Sequence, residues 1–193
     1  MSSPLLIDPK TTALVVIDLQ RGIMARETSP YSASHVLERS VALLAAARKA
    51  RATVVLVNVG FLPDEKDRLA LPADAPNPPG KVPDGYSDLD PALGPEPGDI
   101  LITKRQWGAF YGTMLDLQLR RRGVRTIILC GIATNFGVES TARDAWERGY
   151  ELIFAEDAMA GLSSGAHHFA ITTIFPRLGR IRSTDQILLA LNA

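Results

Sequence analysis

Three places in this chain carry residue types able to do chemistry. Asp18 follows the apolar run Leu14, Val15, Val16 and Ile17. A carboxylate in apolar surroundings has a raised pKa unless a cation or hydrogen-bond donors compensate. It can hold a proton for transfer, or serve only as a cap or turn aspartate. Lys104 follows Ile100, Leu101 and Ile102. At the same sheet edge as Asp18 it would pair with the carboxylate, keeping it ionised or positioning its proton; elsewhere it would simply be solvated. The third place is the turn Gly131-Ile-Ala-Thr-Asn-Phe-Gly137. Glycines there permit a tight backbone and expose amides at a helix N-terminus, which can hold an anion or developing negative charge. They suit an ordinary tight turn equally well. No Gly-Lys-Ser/Thr follows, so the turn is not a phosphate-binding P-loop.

Around these lie candidates for reading a substrate. Trp107, Phe110 and Tyr111 follow Lys104, and Phe136 sits in the glycine turn. Such rings can line an apolar pocket, fill a core or form a subunit contact. Arg105 could hold a substrate carboxylate through a bidentate contact. His167 and His168 fall in a predicted helix, where packing or capping is the simpler role, and His35 stands alone. Asp157 follows the fifth strand and can cap or orient a loop. Cys130 lies within an apolar strand and reads as a buried, inert thiol. No His, Asp or Glu pair has metal-ligand spacing near the strand ends, so neither metal nor cofactor is implied.

The elements that must position these residues alternate. The runs 12–19 and 53–59 are apolar, rich in β-branched residues and without period-2 alternation, as in strands buried on both faces. Further strands are predicted at 99–103, 126–131, 151–155 and 179–182. Helices are predicted at 34–50, 113–122, 135–148, 163–175 and 184–191. In the first of these Leu37, Val41 and Leu44 form the apolar stripe; in the second Met114, Leu115 and Leu119 face inward. Gly123 and Gly149 are natural helix stops. Residues 61–98 break the rhythm and hold nine of the chain's 13 prolines. We read them as an ordered excursion serving as a lid or contact surface, or else as a mobile surface loop. Six strands alternating with helices imply a parallel sheet covered on both faces, with ligands bound beyond the carboxyl ends of its strands. One domain over 1–193 is expected.

Composition narrows the classes. The 21 basic and 21 acidic residues cancel, which gives no reason to expect nucleic acid or an acidic membrane as partner. Arg120, Arg121 and Arg122 read as the solvated end of a helix. One cysteine allows no intramolecular disulfide. No signal peptide is visible in residues 1–10, and no apolar stretch approaches the ~20 residues of a membrane helix. A cytoplasmic protein with a small-molecule partner is the expectation.

Taken together, 12–20 (TALVVIDLQ), 104–113 (KRQWGAFYGT) and 131–145 (GIATNFGVESTARDA) resemble the isochorismatase-like hydrolase family, also called the cysteine hydrolases. The resemblance spans 12–189 and is weakest over 61–98. It implies an α/β/α sandwich, a six-stranded parallel sheet ordered 3-2-1-4-5-6, and homodimers or larger homo-oligomers. Most members hydrolyse amides with an Asp-Lys-Cys triad, whose first two members match Asp18 and Lys104. The resemblance also implies a non-proline cis peptide at Ile132-Ala133 and an oxyanion hole from the amides of Ala133 and Gly137. The family's nucleophilic cysteine aligns with Gly137, which cannot form an acyl-enzyme. Cys130, on the other side of the turn, is no simple replacement. The metal-binding histidines of nicotinamidases have no counterpart after the second strand, which argues against thiol amidase chemistry. True isochorismatases also carry glycine here and cleave a vinyl ether without a covalent intermediate. The role thereby implied for Asp18 is general acid, with Lys104 holding the carboxylate. The alternative is an inactive binding or scaffold protein on the same fold.

Overall fold

The computed structural model describes residues 5–75 and 80–192. Residues 1–4, part of the stretch read for a leader, and 76–79, within the excursion, lie outside the described residues. The strands are β1 (Thr12–Ile17), β2 (Thr53–Val59), β3 (Ile100–Lys104), β4 (Thr126–Ile132), β5 (Glu151–Ala160) and β6 (Arg180–Arg182). They form one sheet in the order β3-β2-β1-β4-β5-β6, and every pairing is parallel. The helices are α1 (Arg21–Met24), α2 (Ala33–Lys49), α3 (Leu115–Arg121), α4 (Glu139–Glu147), α5 (Ser164–Phe169), α6 (Phe175–Leu178) and α7 (Thr184–Leu191). The sheet therefore has the expected α/β/α architecture and strand order.

Side-chain alternation divides the core in two. Ala13, Val15 and Ile17 of β1 pack with Leu115, Leu119, Ala142, Ala145 and Phe175, which puts α3, α4 and α6 on one face. Leu14 and Val16 pack with Val36, Leu43, Leu44, Ala47, Ile187 and Leu191, which puts α2 and α7 on the other. β1 is buried at every position, and burial on both sides explains why it is apolar from Ala13 to Ile17. Local chemistry sets the helix starts. Ser32 Oγ accepts from the His35 amide, and Ser183 and Gln186 form a reciprocal capping box on α7.

Several expectations shift. The buried stripe of α2 is Val36, Ser40, Leu43, Leu44 and Ala47; Leu37 and Val41 flank it, only partly buried. Met114 is 53% exposed rather than inward. It is the residue before α3, with φ −90° and ψ 11°, so it lies outside the helical period. The 135–148 helix begins as a π turn, Thr134–Val138, before α4. The 163–175 helix has a second π turn, Ala170–Ile174, and continues as α6. β5 runs on to Ala160 because a register shift lets Gly131 pair with Met159 after Leu129 has paired with Phe154.

The excursion is tied down next to the ends of β1 and β2. The Asp90 amide donates to Leu19 O at 3.0 Å, Arg21 to Asp88 O at 2.8 Å, and Gly22 to Tyr86 O at 3.0 Å. Asn58 Nδ2 donates to Ser87 O at 2.7 Å. The fully buried Gln20 is the clip: Nε2 donates to Val59 O and Tyr86 O, and Oε1 accepts from the Val59 amide. Gln20→Leu would take this partner from the Val59 amide and carbonyl, at ~1–3 kcal/mol for each group left unpaired, while Tyr86 O keeps the Gly22 amide. We expect a lower denaturation midpoint and faster proteolytic cutting within 61–98; an unchanged cutting pattern would show that the clip does not hold the excursion.

Candidate active site

Asp18 is the first residue past β1, and its backbone is left-handed with φ 53°. Continued strand alternation would send it to the face of Leu14 and Val16. The left-handed step instead brings its Oδ2 within 2.8 Å of Lys104 Nζ. Lys104 closes β3 in the same alternation as Ile100 and Ile102, so its stem lies along that core face. The two residues are 5% and 1% exposed. Nζ also donates to the carbonyl of Trp107. Asp18 Oδ1 is buried and meets no hydrogen-bond donor among the described residues.

The glycine turn completes the group. A Cβ on Gly137 would stand 3.0 Å from Asp18 Oδ2, 3.0 Å from Ile17 Cγ2 and 3.1 Å from Lys104 Nζ. Gly137 therefore faces the ion pair directly. Gly131 serves a different end: with φ 117°, a Cβ there would come within 2.0 Å of Ile17 O, so glycine lets β4 close on β1. The Ile132-Ala133 peptide is cis. Thr141 Oγ1 donates to Gly137 O at 2.7 Å and fastens the turn to α4.

Burial pushes the Asp18 carboxyl up from 3.8 to about 6, against the opposing effects of the Lys104 charge and hydrogen bond. Lys104 supplies both lowering influences, so Lys104→Met should drive this pKa higher still. Carbon-13 titration of the Asp18 carboxyl would read the shift; an unchanged or lower value would mean the pair is not formed in solution. Burial pushes the Cys130 thiol up to about 12. Cys130 is buried, as expected, and packs on the α2 face of the sheet, away from the face that Lys104 follows.

The other predicted residues separate. Trp107 is 59% exposed and meets Phe136 edge-on, ring centres 5.0 Å apart, so these two form one wall beside Lys104. Phe110 is a core residue: its ring lies 5.9 Å from that of Tyr150, under the Arg148 guanidinium. Tyr111 is 77% exposed. Arg105 is already engaged, paired with Asp67 and donating to Gly60 O at 2.7 Å. Its charge is offset by a neighbour 38 positions earlier, which local sequence does not reveal. Asp157 accepts from the Thr184 amide and hydroxyl and pairs with Arg39, so it caps α7.

Two contributions escape a sequence reading. Tyr86, from the excursion, packs where a Gly22 side chain would otherwise be. Its phenol is pushed up by burial first, with Arg26 opposing and Asp18 adding, which places it within electrostatic reach of the carboxylate. His167 lies behind the glycine turn, bonded to Thr134. Nothing in the local spacing joins residues so far apart. Cavities of about 670 Å³, lined in part by Met24, Arg26 and Asp90, and about 430 Å³, lined in part by Glu156 and His167, lie elsewhere; neither is lined by Asp18, Lys104 or Gly137. No helix among the described residues is long and apolar enough to cross a membrane.

Comparison with known proteins gives a consistent result. The Isochorismatase domain family matches residues 12–186. An uncharacterised isochorismatase family protein of Escherichia coli O157:H7, YecD, is 51% identical over 185 residues, covering 96% of this chain and 98% of YecD. The ureidoacrylate amidohydrolase RutB of Methylorubrum extorquens is 35% identical over 184 residues, covering 80% of this chain and 72% of RutB. An isochorismatase family protein from Burkholderia thailandensis has a solved structure that superposes with a TM-score of 0.93 at 43% identity, covering 99% of this chain and 100% of that one.

Proposed function

This chain belongs to the isochorismatase family, and from that premise we propose that it is a hydrolase of a small carboxylated molecule in which Asp18 is the general acid and no covalent cysteine intermediate forms. A vinyl ether such as isochorismate fits this chemistry. The observation that carries the reading is Gly137 facing the Asp18–Lys104 pair at the distance of a missing Cβ. On the resemblance that aligns the family's nucleophile with Gly137, that position would be open backbone, beside an acid and its cation.

The steps follow from the site. Oδ2 accepts from Lys104, so the neutral acid carries its proton on Oδ1, the oxygen that meets no protein donor. Transfer of that proton to the terminal vinyl carbon leaves an oxocarbenium ion and the Asp18 carboxylate, which Lys104 stabilises. Water adds to the cation and returns a proton to Asp18. The hemiketal then collapses to a keto acid and an alcohol. The amides of Ala133 and Gly137 would face the hemiketal oxygen, where negative charge develops as the hemiketal collapses, and Trp107 and Phe136 would bound the substrate. Protein from a homodimer or larger homo-oligomer is the form to assay.

The test is turnover of isochorismate and a panel of enol ethers, with ureidoacrylate and N-carbamoylsarcosine added because RutB is a ureidoacrylate amidohydrolase and a structural relative, 25% identical with TM-score 0.71, is an N-carbamoylsarcosine amidase. Turnover of an enol ether supports the reading. Turnover of the amides alone, or of nothing in the panel, would sink it. The near-complete burial of Asp18 and Lys104 favours one second reading, a ligand-binding protein without turnover. Tight binding without product in the same panel would identify it.

A further inference from the structure

A second buried polar chain stands directly behind the glycine turn. Thr134 is the residue after Ala133 and opens the π turn that carries Gly137. Its hydroxyl lies 2.8 Å from His167 Nδ1, and the two residues are 0% and 3% exposed. On the far side of the ring, Nε2 faces Glu156 Oε1 at 3.6 Å. That oxygen accepts from the Tyr31 hydroxyl at 3.1 Å. Tyr31 stacks on His35 at 4.9 Å and meets the His167 ring edge-on at 6.1 Å. Nε2 is buried and has no hydrogen-bond partner among the described residues. A buried histidine with one nitrogen given to a hydroxyl and the other unpartnered is an expensive feature for a core to retain.

We propose that His167 is a positioning residue: through the Thr134 hydroxyl it fixes the 133–137 turn, and Glu156 and Tyr31 fix the ring in turn. The assignment of charge-stabilising amides to Ala133 and Gly137 comes from the proposed function, and the catalytic consequence rests on it. The Glu156 carboxylate 3.6 Å from Nε2 favours the tautomer with its proton on Nε2, in which Nδ1 accepts and the Thr134 hydroxyl donates. That bond sets the Thr134 rotamer and hence the backbone on either side of it. The groups facing His167 are Thr134 from the turn, Glu156 from β5, and Tyr31 from the segment before α2. The carboxylate of Glu156 is held below its ordinary range by His167 first and by Tyr31 after it, in keeping with an ionised anchor. Glu156 and His167 both line the 430 Å³ cavity, so the chain runs from that cavity inward to Thr134.

The experiment uses Thr134→Val, Thr134→Ser, His167→Asn, Tyr31→Phe and the double variant Thr134→Val/His167→Asn. Backbone amide NMR shifts of Ala133 and Gly137 are measured without substrate, and kcat and KM on any substrate the wild type turns over. The expected result is that Thr134→Val and His167→Asn both move these two amide signals. Each should lower kcat ~10- to 100-fold, with KM changed little, as expected when charge stabilisation is misaligned. The double variant should lose no more than the worse single, because the two residues act as one unit. Thr134→Ser should match the wild type, and Tyr31→Phe should move the same signals by less. Unmoved amide signals in Thr134→Val or in His167→Asn would overturn the proposal, as would losses that multiply in the double variant. If Thr134→Val fails to fold, His167→Asn and Tyr31→Phe still decide it. The amide shifts need no substrate, so they stand apart from the turnover panel that judges the proposed function.

Discussion

Asp18→Asn should abolish turnover of whichever enol ether the wild type accepts, by about 10²–10⁴-fold, the usual worth of a positioned general acid. The amide can still accept from Lys104 Nζ, which also keeps its bond to the Trp107 carbonyl, so the fold should survive. The pH dependence sharpens the test. An acid with a pKa of about 6 is protonated below that pH, so the wild-type rate should fall as pH rises through about 6. The same shift fixes a stability signature. Between 3.8 and about 6 the folded state holds a proton that the unfolded chain has lost. Stability from this group is therefore greatest below the unfolded value and declines as pH rises through the folded one. The difference is on the order of 3 kcal/mol across the window. Urea unfolding of wild type and Asp18→Asn at several pH values should show this decline only in the wild type. A variant with full turnover and the wild-type pH profile would remove Asp18 from the reaction.

Gly137→Cys should both destroy and create. The new Cβ would sit 3.0–3.1 Å from Asp18, Ile17 and Lys104, so its neighbours must yield by a few tenths of an ångström. The thiol would stand beside a buried ammonium, an environment that lowers cysteine pKa values. We expect loss of enol-ether turnover by 10-fold or more, on the order of 1–3 kcal/mol of crowding. We also expect one thiol per chain to become alkylated by iodoacetamide under native conditions. Wild type should resist labelling, because its single cysteine is buried with a pKa of about 12. Slow hydrolysis of activated esters or amides should accompany the label-sensitive thiol. If the variant keeps full turnover and its new thiol cannot be alkylated, Gly137 does not face the substrate.

Much of the frame is readable locally. Buried parallel strands need apolar, β-branched runs, so 12–19 and 53–59 declare themselves, and Asp18, Lys104 and the glycine turn stand out at or near strand ends. The stripe of α2 was displaced by one residue, because the sheet selects which of two adjacent helical rows is pressed against it. The same selection separated Phe110, taken into the core, from Tyr111 beside it, left in solvent.

The sequence alone determined the layer architecture, through hydrophobic period, and the presence of an acid, a cation and a glycine-flanked turn at or near strand ends, through residue type. Tertiary structure decided which of these meet. The left-handed backbone at Asp18 turned its carboxylate onto Lys104, Asp67 claimed Arg105, and Thr134 was joined to His167 across 33 positions. Each of those outcomes is a contact between segments distant in the chain, whose free energy depends on burial and geometry that exist only once the sheet has assembled.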